Sequence, residues 1–161
     1  MDAIPLMTSS PEIAIHAFSA LFAMVLGTLV LFLDKGTPLH KALGRVWVGV
    51  MAVVALSSFL ITEARMFGPY SIIHALSVLT LFSLVGGVLA ARRKNILAHR
   101  ATMISLYCFA LLLTGAFTLL PGRRMHAVIF ADGGTTAALV AALAAALIGI
   151  ALLTRRRSAR A

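Results

Sequence analysis

Four of the five histidines in this chain stand at matching places in its two halves. Ile15-His16-Ala17-Phe18-Ser19 returns as Ile73-His74-Ala75-Leu76-Ser77, and His40-Lys41 returns as His99-Arg100. His16 and His74 are 58 residues apart, and His40 and His99 are 59 apart. A single one-residue adjustment therefore keeps both pairs in register, as a tandem duplication would. Weaker echoes set Leu21 against Leu79, Gly27 against Gly86, Phe59 against Phe117 and Arg65 against Arg123. Imidazole is the commonest metal-binding side chain, so duplicated histidines point to paired ligands. Two imidazoles facing across a gap suit the axial positions of a haem. A tetrahedral ion wants four ligands together, whereas His16 and His40 would stand about 25 Å apart on a straight helix of ~1.5 Å rise per residue.

The elements that must position these residues are set by composition. With 61% hydrophobic and 12% charged residues and a mean hydropathy of +1.02, the chain lies outside the range of soluble domains. Five apolar segments reach the ~20 residues needed to cross a bilayer as helices: about 13–33, 38–62, 71–91, 96–120 and 134–154. The expected fold is an all-α integral membrane helical bundle forming a single domain over residues 1–161. Two repeats of two helices, about 13–65 and 71–123, supply a four-helix core, and the segment at about 134–154 adds a fifth helix.

Lys35, Lys41, Arg45, Arg92, Arg93, Lys94, Arg100, Arg155, Arg156, Arg157 and Arg160 fall on one side of this arrangement. Arg65, Arg123 and Arg124 fall on the other. The excess of basic residues marks the cytoplasmic side, so the N-terminus is expected outside and the C-terminus inside a bacterial inner membrane. The net charge of +9 then reflects topology and anionic headgroups, and nucleic acid is not an expected partner. Asp2 and Glu12 precede the first segment without a basic n-region, and the apolar run is too long for a signal-peptide core. The first segment is expected to remain in the mature protein.

Thr37-Pro38, Ser71 and Asn95 read as helix starts. They put His40, His74 and His99 about one turn inside their helices, and His16 follows Pro11-Glu12. Since consecutive helices alternate in direction, His16 and His74 approach one face of the membrane and His40 and His99 the other. Haem propionates need cationic partners, for which Lys35, Lys41, Arg45 and Arg100 are available at the inner end and Arg65, Arg123 and Arg124 at the outer. Topological and snorkelling roles explain the same residues. Gly27 and Gly86 either admit a flat ring against the backbone or serve close helix packing.

All five acidic residues, Asp2, Glu12, Asp34, Glu63 and Asp132, lie at segment ends or in loops. An internal proton relay or a zinc hydrolase with a carboxylate base is therefore disfavoured. Ser57, Ser58 and Ser105 are expected to bond back to their own helices, and Trp47 and Tyr70 read as interface anchors. Cys108 reads as a small packing residue, and His126 has no counterpart in the first repeat. The alanine-rich fifth segment suits tight packing against the core or a homo-oligomeric contact.

The arrangement Lys35-Gly36-Thr37-x-x-His40-Lys41-x-x-Gly44-Arg45-x-Trp47, with Ser71-x-x-His74 and His99-Arg100-x-x-Met103, resembles a family of bacterial inner-membrane proteins known only as predicted membrane proteins with a domain of unknown function. The likeness covers nearly the whole chain and implies no activity. Two bis-histidine pairs on alternate helices of a four-helix core also resemble the di-haem membrane cytochromes of the b type. That likeness implies two b haems, one on His16 and His74 and one on His40 and His99, with Arg45, Arg65, Arg100 and Arg123 near the propionates. It implies transfer of electrons between a quinone and a redox partner. A non-enzymatic role in metal handling or membrane-complex assembly is the alternative reading.

Overall fold

A computed structural model describes residues 10–61 and 72–119, together with 126, 127 and 130. It divides into two units, Ser9–Phe117 and a second comprising Met1–Thr8 with Thr118–Ala161. In the second, His126 lies with its ring 4.7 Å from that of Phe130. The fifth segment, together with Arg65, Tyr70, Ser71, Arg123 and Arg124, lies outside the described residues.

The unit Ser9–Phe117 is all helical among the described residues: α1 Pro11–Phe32, α2 Pro38–Ser58, α3 Ile72–Arg92, α4 Ile96–Ser105, a π-helix Leu106–Leu113 and α5 Thr114–Phe117. The last three run on as one rod, so among the described residues four spans are long and apolar enough to cross a membrane. The starts follow local chemistry. Thr37 accepts a hydrogen bond from the His40 backbone N–H at 3.2 Å with Pro38 behind it, and Asn95 caps α4 through the Ala98 N–H at 3.1 Å. Gly36 (φ 83°) and Lys94 (φ 60°) take the left-handed conformation in the two tight turns.

The helices pack in a ring: α1 on α2, α2 on α3, α3 on α4, and the π-helix back on α1. Thus α1 stands diagonally from α3, and α2 from the fourth rod. The buried centre is Ala23, Leu26, Trp47, Met51, Leu84, Leu106 and Leu111. Large apolar side chains such as Phe18, Phe22, Val25, Phe82, Val85 and Phe109 point outward, as expected where the solvent is hydrocarbon.

Three sequence expectations are corrected here. Trp47 is no interface anchor: it is 4% exposed, and its indole N–H donates to the Ala23 carbonyl at 2.9 Å. Cys108 is exposed on the outer face of the π-helix and fills no packing gap. The fourth segment is not a uniform α-helix, and its buried Leu106 and Leu111 are five residues apart, the spacing of a π-turn. Ser57 and Ser58 behave as expected, donating to the carbonyls of Val54 (3.1 Å) and Ala55 (2.8 Å).

Candidate functional site

His16 stands one to two turns into α1 and reaches sideways to the last turns of α2. Its Nδ1 lies 2.9 Å from the Val54 carbonyl and 3.1 Å from Ser57 Oγ. A carbonyl only accepts, so Nδ1 carries the proton and Nε2 keeps the lone pair. A ligating histidine is arranged in the same way, with one ring nitrogen held by a carbonyl and the other presented to a metal.

His74 is 7% exposed at the start of α3 and lies against Phe59, ring centroids 5.7 Å apart at 51°. Ser77 and Thr80, one and two turns further on, are buried on the same face. Ser77 Oγ meets Ser58 Oγ across the α2–α3 contact at 2.5 Å. A seam of imidazole and hydroxyl groups therefore links α1, α2 and α3 at this end, with His16 and His74 flanking the end of α2. Each group in lipid must find a partner, and short serine side chains do so while letting helices approach.

The other pair sits at the opposite end of the helices. His99 Nδ1 lies 2.9 Å from the Gly87 carbonyl of α3, which by the same argument leaves Nε2 with the lone pair. Gly87 makes this reach feasible, because a Cβ there would run into the Met103 methyl and come within 3.2 Å of Thr102. His40 faces the Val30 carbonyl near the end of α1, with Lys35, Lys41 and His99 within electrostatic reach. Its Nδ1 is buried and makes no hydrogen bond. His40 and His99 thus each turn back to a carbonyl near the end of the preceding helix.

The layer between the two levels is closed. Trp47 and Tyr107 occupy the space beside Gly27, where a Cβ would lie 2.6 Å from the indole nitrogen and 2.7 Å from the Tyr107 ring. Tyr107 hydrogen-bonds Thr28 Oγ1 at 2.5 Å. Gly27 therefore serves close packing of protein side chains, and Gly86 has nothing within 4 Å of a Cβ and lies exposed. Neither receives a flat ligand from the bundle interior. Gly86 echoes Gly27 in the sequence, but the glycine that packs closely is its neighbour Gly87, to which the Gly86-Gly87 doublet is the sequence signal.

Among the cations, Lys35 is committed elsewhere: its ammonium donates to the carbonyls of Val30, Leu31 and Leu33 at 3.1, 2.6 and 3.0 Å and caps the end of α1. Lys41, Arg45 and Arg100 are exposed at the His40–His99 end. Among the described residues no three His, Cys, Asp or Glu side chains gather as a metal site, so any ligation rests on pairs. Residues 13–159 match the model of the family described as "Predicted membrane protein (DUF2306)". No curated protein and no solved structure matches the chain.

Proposed function

For this chain, which belongs to that family of predicted membrane proteins, we propose a role as a small b-type cytochrome that moves electrons across the bacterial inner membrane. His16 and His74 would hold one haem, and His40 and His99 the other. The observation that carries this reading is the fixed tautomer of His16 and His99. Each ring is anchored through Nδ1 on a carbonyl of a neighbouring helix, which restricts its rotation and would leave Nε2 as the nitrogen to bind iron. Each pair also comes from diagonal helices of the ring.

A haem held there by two imidazoles would supply one-electron exchange. The chain's own residues divide the bilayer into two levels, since Trp47, Met51, Leu84 and Leu106 fill the centre between the histidine pairs. Arg45 and Arg100 would neutralise propionates at the His40–His99 end, and Arg65 and Arg123 at the other. On the distribution of basic residues the N-terminus would lie outside, a quinone or a redox protein would be the exchange partner, and the fifth segment would be available for a homo-oligomeric contact.

A second reading rests on His40, whose buried Nδ1 has no partner and lies near His99. Two imidazoles suit copper or iron without porphyrin, as a metal-handling or assembly protein would require. Haem and metal content of histidine variants separates the two. His16→Ala and His74→Ala should each remove the same one of two haems, and His40→Ala and His99→Ala the other. Four variants with unchanged haem content would refute the cytochrome reading, and copper without porphyrin would favour the second.

A further inference from the structure

On the outer flank of the bundle an open-sided groove of about 310 Å³ runs between α2 and α3. Val48 and Ala52 form one wall, the α3 face from Leu81 to Leu89 forms the other, and Arg92 closes its end. The groove exists because α2 and α3 are pinned together at Ser58–Ser77, while toward the other end the small side chain of Ala52 leaves the gap unfilled. From Leu81 to Arg92 the groove follows α3 for about 16 Å at ~1.5 Å rise per residue. That is about half of a ~30 Å hydrocarbon core, the depth of one leaflet.

We infer that this groove is a binding site for an anionic phospholipid. One acyl chain lies between α2 and α3, and the phosphate headgroup pairs with Arg92. The walls are apolar throughout, which suits a hydrocarbon chain and nothing that needs hydrogen bonds along its length. Among the described residues the one charged side chain lining the groove is Arg92, where α3 ends, followed at once by the exposed Arg93 and Lys94 of the turn. An arginine stem packs on hydrocarbon while its guanidinium stays at the polar boundary, and its planar fork matches phosphate oxygens in pairs. A quinone has a comparable apolar tail but a neutral head, which draws less from a triple cation. The site owes nothing to the histidines, so it stands independently of the proposed redox role.

Native mass spectrometry of the full chain in mild detergent tests this with phosphatidylglycerol and phosphatidylcholine of identical acyl chains. Phosphatidylglycerol should be retained about tenfold more tightly, because phosphatidylcholine carries the same phosphate beside a choline cation that Arg92, Arg93 and Lys94 repel. Arg92→Gln should erase most of that preference. Val85→Trp, which fills the groove, should expel the bound lipid, whereas Phe109→Trp on another outward face should not. Equal retention of the two lipids, or an unchanged preference in Arg92→Gln, overturns the inference. So does retention of neither lipid.

Discussion

The indole N–H of Trp47 on α2 donates to the Ala23 carbonyl of α1 at 2.9 Å, one turn before the glycine that lets the two helices come that close. At Gly27 three elements meet, α1, α2 and the π-helix, and the space of a side chain is taken by Trp47 and Tyr107. This contact closes the layer between the two histidine pairs, so its integrity bears on both stability and function.

Adding one methyl group at Gly27 should therefore destabilise the bundle by about 1–3 kcal/mol, the usual cost of overpacking. The matching change at the other repeat, Gly86→Ala, meets nothing within 4 Å and should stabilise by up to about 1 kcal/mol through helix propensity. Unfolding of both variants by denaturing detergent in mixed micelles measures the difference. Equal effects would contradict the packing described.

The Ser58–Ser77 hydrogen bond joins α2 to α3 within the hydrocarbon. A double-mutant cycle with Ser58→Ala and Ser77→Ala should give a coupling of about 0.6 kcal/mol, the common value for interhelical hydrogen bonds in membranes. Strictly additive effects would show that the two hydroxyls do not depend on each other.

Much of the architecture was legible in the chain because length and apolarity alone define spans. Thr37-Pro38 and Asn95 mark helix starts where the structure has them, and the repeat predicts which histidines share an end. What was not legible is helix rotation. In lipid the outward face is as apolar as the core, so no periodicity told that Trp47 turns inward while Cys108 and Gly86 turn outward. The π-helix is likewise hidden, since Leu106–Leu113 is an apolar run whose register shift appears only in the five-residue spacing of Leu106 and Leu111. The carbonyl anchors of His16 and His99 depend on backbone positions far away in sequence, which carry no residue signature.

Gly87→Ala should displace the Met103 methyl, press on Thr102 at 3.2 Å and loosen the His99 anchor. On the cytochrome reading it should diminish the haem held by His40 and His99 and spare the one held by His16 and His74. Haem content and the α-band amplitude report this. Loss of both haems in equal measure, or of neither, would contradict the coupling of Gly87 to His99.

The orientation read from the basic residues is open to cysteine labelling. In a Cys108→Ser background, Asp34→Cys and Lys94→Cys lie in the two turns expected on the cytoplasmic side. Both should react with an impermeant maleimide only after cells are permeabilised. Reaction in intact cells would reverse the topology.

The most direct measurement is a dithionite-reduced minus air-oxidised absorption spectrum of the full chain, purified in mild detergent after expression with ample haem supply. A sharp low-spin b-type α band at a stoichiometry near two haems per chain is the predicted result. A flat spectrum from a folded, monodisperse protein would contradict the assignment of His16, His74, His40 and His99 as haem ligands.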